Sequence, residues 1–582
     1  MTNGSEISLV PLGGLGEFGR NVLWLASGGS NVVLDVGVSF PDETFPGIDR
    51  IAPDLSPLRD VPIDAVLLTH GHEDHVGALP LLSEWCDAPV YGLPFTLALA
   101  RRRLEETGLP EDRLVEARRG ETVRAGNFRF TFFRVSHSVP DSAAILIEAA
   151  GRKIFHSGDF KLDPDPPDGE TTDVEGIVRA AAEGVDLALV DSTNAERPGR
   201  ALSERIAGRG LAAAFEGAPR RIILTTFSSH VARVSQAVDA AMANGRGIAM
   251  LGRSMRTVAE IAERFGRLRI PAASRILPGE LQGIPAGRVL CLTSGSQGEP
   301  FSALYRLALD EHADLKIGRE DLVLFSSRTI PGHERSVNRV TDHLVRRGAR
   351  VLRETDPPIH VSGHAHRDDL ADWLALVKPR AVLPVHGEVR MLAAAAAIAR
   401  ESGIPGDRVP LLDNGDRLTL TPEGIHVERG AVSTGKIFLD SRPEAVDLEV
   451  VRDRRRLAEE GFVVILVHER DVVVVSRGVA RDEAGLAGQV TRATKEVLDL
   501  TPLAPKWEAF GWFGQEINGN DQQEALDALK KTATVKGRPS VIVAKTVKGW
   551  PIQGILSKDP NHHGKPLTPE EMKQALALLD AR

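Results

Sequence analysis

The sequence predicts an α/β fold with at least one sizeable mixed sheet, on two observations. Short apolar runs recur along the chain upstream of about residue 478, and Ala-rich helical stretches separate several of them. In order, the buried-strand candidates are Val32–Val36, Ala65–Leu68, Arg129–Phe133, Ala144–Ile147, Leu187–Val190, Ile222–Leu224, Val289–Leu292, Leu322–Phe325 and Ala381–Val385. Ser203–Glu216 and Arg390–Arg400 read as helices. Strands alternating with helices imply layers of helix packed on sheet.

The 582 residues exceed what one core serves, so two to four domains are expected. Apolar residues make up 42% and charged residues 26%, ordinary for a globular protein. No apolar run is long enough to cross a bilayer, and the start MTNGSEISLVPLGG lacks the basic-then-apolar order of a secretory leader. Two cysteines, Cys86 and Cys291, exclude a disulfide scaffold or a Cys-rich zinc module and fit a reducing cytoplasm. A net charge of -9 argues against a basic coat for duplex DNA, though not against a local basic channel.

Lysine usage divides the chain. Residues 1–482 contain five lysines and residues 483–582 contain ten, together with Trp507, Trp512 and Trp550. Two compositional habits suggest two origins, with a seam at about 478–485. A solvated, Lys-rich terminal domain is the other reading.

Gly14-Leu15-Gly16-Glu17-Phe18-Gly19, with Asp35 further on, matches a dinucleotide-binding pattern. That pattern needs a helix after the last glycine, and Asn21–Leu25 reads as a strand. A glycine turn between two strands is the expected role. Thr69-His70-Gly71-His72-Glu73-Asp74-His75 carries more. It directly follows the strand Ala65–Leu68. In extended chain His70 and His72 face the same way, and a turn into a helix would throw Asp74 and His75 to a second point nearby. Imidazoles with a carboxylate suit Zn²⁺, with Mn²⁺ the usual competitor.

An H-x-H-x-D-H stretch after a strand resembles the signature of the metallo-β-lactamase fold. On that resemblance, His137 in VSHSVPDS is the next ligand, Asp159 in HSGDF the carboxylate bridging two metals, and His386 in PVHGE the last ligand. More than 220 residues separate Asp159 from His386, and DSTN at 191–194, VSGHAH at 361–366 and PVH at 384–386 resemble the motifs of β-CASP nucleases. PLGGLGE at 11–17, FPDE at 40–43, DSTNAERPG at 191–199, SGSQGEP at 294–300 and SSRTIPG at 326–332 narrow the resemblance to the ribonuclease J family, over about 7–477. The implied architecture is a metallo-β-lactamase αββα sandwich with an inserted β-CASP α/β domain and a small C-terminal α/β segment. The expected division is 1–202 and 356–435 for the lactamase-type domain, 203–355 for the β-CASP domain, 436–483 for a linker and remnant of the family's C-terminal domain, and 484–582 for the tail. That tail, through TKEVLDLTPL at 494–503, KWEAFGW at 506–512, RPSVIVAKT at 538–546 and HHGKPL at 562–567, resembles a transketolase fragment. It lacks the G-D-G motif and the Asp–Asn pair that hold thiamine diphosphate, and Ala484 stands where transketolases have Asn, so no transketolase activity is expected.

The resemblance implies a metal-dependent ribonuclease holding two Zn²⁺ per chain, or Mn²⁺. His70, His72 and His137 would hold one ion, Asp74, His75 and His386 the other, with Asp159 between them. Asp74 and His75 would also orient the attacking water, His364 would donate a proton or clamp the phosphate, and Asp191 would support the site by hydrogen bonding. The implied substrate is single-stranded RNA with a 5′-monophosphate, received by His360, Val361, Ser362, Gly363 and His364 together with Ser229 and His230. Hydrolysis would run 5′→3′ with some internal cutting, in RNA maturation and decay in the cytoplasm. A homodimer or tetramer is expected, with no membrane partner. A DNA-processing β-CASP nuclease and a small-ester metallohydrolase are the alternatives. Arg101–Arg103 and Arg346–Arg347 are read as solvated faces rather than an RNA path.

Overall fold

A computed structural model describes residues 6–41, 45–353, 355, 357–440, 445–460, 462–468, 471–477, 502–547, 550, 552 and 567–580. Asp42 and Glu43, the seam at 478–485 with Ala484, and the motif residues 494–501 and 562–566 lie outside them. The described residues form two compact units, the first ending at Ala445 and the second running from Val446 onward together with the short segment 45–47.

All nine strand candidates and both helix candidates fall on observed elements of their type. The first unit contains two sheets packed face to face. One has eight strands in the spatial order 424–428, 417–421, 7–13, 22–27, 30–34, 65–67, 90–92, 114–116. The other has six, in the order 379–385, 185–191, 152–156, 143–149, 128–134, 122–125. Strand periodicity explains the packing. Phe128, Phe130 and Phe132 point into the core between the sheets, with Leu9, Leu25, Val32, Leu67, Ile145 and Leu383. Phe133, Ala144 and Leu146 point the other way, onto Ile177, Leu370 and Trp373 of the helices Val174–Ala181 and Arg367–Val377. Beyond the eight-stranded sheet, Leu79, Leu82, Leu97 and Leu104 of the helices Leu79–Ser83 and Pro94–Thr107 form the fourth layer. The result is the expected αββα sandwich.

A third sheet is all parallel, in the order 275–276, 247–251, 289–293, 222–225, 322–325, 350–352. Helices Glu204–Phe215, Val231–Ala243 and Arg253–Arg264 cover one face, and Ala303–Leu309 and Glu334–Arg346 the other. Both faces are buried, so its strands read as unbroken apolar runs. In such sheets a crevice opens at the carboxyl ends of the strands, where the order reverses. Here that edge presents the loops 226–230 and 326–331. The whole sheet comes between Val185–Asp191 and Pro379–Val385, two strands that are parallel neighbours with Asp191 opposite Val385. Asp191 and His386 therefore leave the six-stranded sheet side by side, although 195 residues apart in number.

The glycine stretch 14–19 joins the antiparallel strands Ile7–Gly13 and Val22–Ser27, with no helix after it. The second unit has a four-stranded sheet in the order 471–477, 462–468, 540–545, 513–518. Phe462–His468 pairs antiparallel with Asp471–Arg477 and parallel with Ser540–Lys545. One sheet thus draws strands from both sides of the compositional seam.

Candidate metal centre and substrate cleft

The strand Ala65–Leu67 ends at the floor of a cleft, and the chain turns directly into the short helix Glu73–Val76, for which the extended His72 is the cap. This turn fits only because Gly37 lies beneath it: a Cβ there would meet the Asp74 carbonyl oxygen at 1.7 Å. His70 and His72 converge as their spacing predicts, with Nε2 of His70 3.0 Å from Nδ1 of His72. Nε2 of His137 lies 3.3 Å from the same His72 nitrogen. Oδ2 of Asp159, 3.5 Å from His70 Nε2, completes this group. A second group unites Asp74, His75 and His386 around the same oxygen, which lies 3.4 Å from His75 Nε2 and 3.5 Å from His386 Nε2. Asp74 Oδ2 is 3.2 Å from His386 Nε2. A third set joins Asp159 and His386 to Asp191 and His364.

The donor set fits divalent cations. Oδ2 of Asp159 is buried and has no hydrogen-bond partner, although it is the common member of all three groups. A buried carboxylate oxygen left this way is costly unless a cation takes it. The imidazoles are also anchored from behind. Nδ1 of His75 donates to Asp35 at 2.8 Å, Nδ1 of His137 to the Gly363 carbonyl at 2.8 Å, and Nδ1 of His386 to the Thr193 hydroxyl at 2.7 Å. Thr193 passes its own proton to Asp191 at 2.7 Å. Each ring then turns its Nε2 inward. His72 is the exception, with Nδ1 inward and Nε2 3.3 Å from the Ser138 hydroxyl. Outer-nitrogen anchoring of this kind fixes tautomer and orientation in metal-binding histidines.

Charge follows geometry. Burial holds His70 and His137 well below the ordinary imidazole range, and His72 at about 4. His386 behaves oppositely. Burial would lower it, but Asp159, Asp74 and Asp191 outweigh burial and push it up to about 9. Burial also opposes ionisation of Asp74, yet His75 and His386 hold it far below the usual carboxylate range. Anionic and cationic demands meet at the Asp159 oxygen. His386 pays in backbone conformation as well, with φ 55°, a left-handed geometry found in functional sites.

Asp191 has two tasks. Its Oδ1 accepts from the Thr193 amide at 3.0 Å, capping the turn, and its Oδ2 holds Nδ1 of His364 at 2.8 Å. Against burial, Asp191 raises the pKa of His364. The loop 360–364 closes over His137, and a Cβ on Gly363 would approach His137 Nδ1 to 2.9 Å. Asp74, His364, His360, Val361, Ser362, Gly363, Ser229 and His230 all line one cavity of about 580 Å³. His230 is 3% exposed, and its Nε2 lies 3.5 Å from Glu204, inside the inserted domain. Arg101 pairs with Glu111, Arg102 with Glu106 and Arg103 with Glu73, while Arg347 donates to the Ala308 carbonyl.

Sequence reasoning missed Asp35, Thr193 and Asn21, whose side-chain nitrogen lies 3.1 Å from His75 Nε2. Asp35 carried a signal, since it is the acidic residue of the misleading glycine pattern. Its real partners are His75 and Thr69, whose hydroxyl it receives at 2.8 Å. Asp35→Asn is expected to weaken metal binding about 10- to 100-fold, as chelator competition would measure.

Three family models match. "Ribonuclease J, beta-CASP domain" covers residues 219–344, "Beta-lactamase superfamily domain" 31–241, and "Zn-dependent metallo-hydrolase RNA specificity domain" 358–408. Ribonuclease J of Mycobacterium tuberculosis is 39% identical over 512 residues, 88% of this chain and 90% of that protein. Ribonuclease J of Thermus thermophilus is 39% identical over 507 residues, covering 85% and 88%. Ribonuclease J 1 of Streptococcus pyogenes is 36% identical over 464 residues, covering 79% and 82%. A solved structure of a protein of unknown function from Enterococcus faecalis shares the fold, with a TM-score of 0.51, 15% identity, and coverage of 71% of this chain and 100% of that one.

Proposed function

Because the chain belongs to the ribonuclease J family, and so to the metal-dependent ribonucleases, we propose that it hydrolyses single-stranded RNA from a 5′-monophosphate end, 5′→3′, and also cuts internally. The observation that carries the reading is the Asp159 oxygen, buried without a hydrogen bond among the described residues and set between two groups of ligand-type side chains, of which His72, Asp74 and His386 line the cavity of the 360–364 loop. His70, His72 and His137 would hold one Zn²⁺ or Mn²⁺, and Asp74, His75 and His386 another, with Asp159 shared. When bound, such ions lower the pKa of water and neutralise charge on the phosphate.

The remaining work falls to the side chains. Asp74, with its side chain 29% exposed, is the carboxylate of the second group that reaches the cleft, and it orients the attacking water. His364, whose pKa Asp191 raises against burial, faces the same cleft and would supply the proton for the leaving 3′ oxygen. The phosphate at the 5′ end is received by Ser229, His230 and the 360–364 loop, where the Ser362 hydroxyl is already positioned by Asn194 at 2.7 Å. This activity would serve RNA maturation and decay in the cytoplasm, from a homodimer or tetramer. The tail is read as carrying no transketolase activity, since the cofactor-holding motifs are absent from the sequence.

The test is release of mononucleotide from 5′-labelled, 5′-monophosphorylated RNA in the presence of Zn²⁺ or Mn²⁺. The label should leave as a mononucleotide, and a matched DNA should persist. Internal fragments alone would remove the 5′→3′ assignment, and equal cleavage of DNA would remove the RNA assignment.

A further inference from the structure

Of the three arginines that line the cleft, Arg390 is neutralised, pairing with Glu196 and Glu388. Arg197 and Arg328 are different. Both line the cavity that holds Asp74 and His364. Among the described residues no carboxylate pairs with either guanidinium. The Arg328 guanidinium donates to the Asn194 side-chain oxygen, at 3.4 Å. Burial, and then the charge of Arg328, lower the pKa of half-buried Arg197, so the two cations feel each other. Two like charges held together without a counter-charge cost stability, and a phosphate would relieve that cost through bidentate hydrogen bonds.

Their placement is enforced. The Gln297 amide donates to the Arg328 carbonyl at 2.8 Å, and its oxygen accepts from the Ile330 amide at 2.8 Å. That clamp fixes the loop carrying Arg328, and it gives a task to the Ser294–Pro300 motif. On the other side, the Arg197 amide donates to the Asn194 carbonyl at 2.9 Å. The same Asn194 donates through its side chain to Ser362. One asparagine therefore ties the arginine pair to the loop that receives the 5′ phosphate.

Resting on the nuclease reading above, we propose that Arg197 and Arg328 form a second anion-holding point in the cleft, which grips a backbone phosphate of the bound RNA. The pair positions substrate and takes no part in proton transfer.

Binding of a 5′-monophosphorylated single-stranded RNA to the full-length, metal-loaded chain tests this across a salt series. A phosphorothioate-substituted RNA slows cleavage during the measurement while the metal ligands stay intact. Arg328→Gln, at an exposed side chain, and Arg197→Gln should each weaken binding on the order of tenfold. Each should also flatten the plot of log affinity against log salt by about 0.7 per lost phosphate contact. Arg328→Lys should restore the slope but not the full affinity. In the active enzyme the loss of kcat/KM should appear mainly in KM. Unchanged affinity and slope in both glutamine variants would overturn the proposal. So would binding of inorganic phosphate at this pair as tightly as RNA, since the pair would then serve a free anion. RNA bound with an arginine-dependent slope, while the unaltered chain never cleaves ordinary RNA, would remove the nuclease reading and uphold the pair.

Discussion

Asp159→Asn should abolish RNA cleavage, with a loss on the order of 10³-fold or more, and should lower the metal content of the purified protein. The expectation follows from one oxygen. Oδ2 of Asp159 is shared by the ligand groups, lies 3.4–3.5 Å from three imidazoles, and has no hydrogen-bond partner among the described residues. An asparagine preserves the volume but exchanges a full negative charge for an amide. His70, His75 and His386 would then lack the shared anion between them, with Asp74 left to balance the second group alone. Turnover of labelled RNA and metal analysis by mass spectrometry check the two halves separately. Loss of activity with full metal content would shift the role of Asp159 from ligand to proton handling.

Arg233→Met should destabilise the inserted domain by about 3–5 kcal/mol, lowering its thermal transition by about 10 °C. Arg233 is fully buried and meets Glu204 through two nitrogens, at 2.6 Å and 2.9 Å. It also donates to the carbonyls of Ser326 and Ile359. Removing it leaves Glu204 as an uncompensated buried charge and releases the segment that leads into the 360–364 loop. Burial would raise the Glu204 carboxyl, but Arg233 and then His230 outweigh burial and hold it far below its ordinary value. A depressed folded-state pKa contributes stability that is present above the unfolded value near about 4.3 and fades as pH falls toward the folded one. The deficit of Arg233→Met should therefore be largest at neutral pH and shrink in acid. Calorimetry at several pH values reads this directly, and adding Glu204→Leu should recover much of the loss.

The legible part of this molecule is the part in which a local pattern dictates the outcome. The parallel strands of the inserted sheet are buried on both faces and so appear as plain apolar runs. His70, His72, Asp74 and His75 share one turn, so their spacing alone forecasts two convergence points. What stayed hidden depends on partners far away in the chain. Asp35 meets His75 forty residues later, and Asn194 meets Ser362 across 168. Neither distance has a periodicity to detect. Asp35 was masked further by the glycine pattern upstream, because Gly14–Gly19 resembles a phosphate loop until the chain is seen to continue as a strand. No local pattern marks Glu204 and Arg233, which meet because Glu204–Phe215 packs against Val231–Ala243.

The shared sheet of the second unit bears on solubility. Phe462–His468, with the sequence FVVILVH, has both of its long sides occupied, one by Asp471–Arg477 and the other by Ser540–Lys545. A chain ending before the foreign-looking tail would bare one side of a β-branched strand, an open template for edge-to-edge aggregation. Whatever its ancestry, the strand Ser540–Lys545 acts as a gatekeeper. It keeps an aggregation-prone segment occupied within its own molecule.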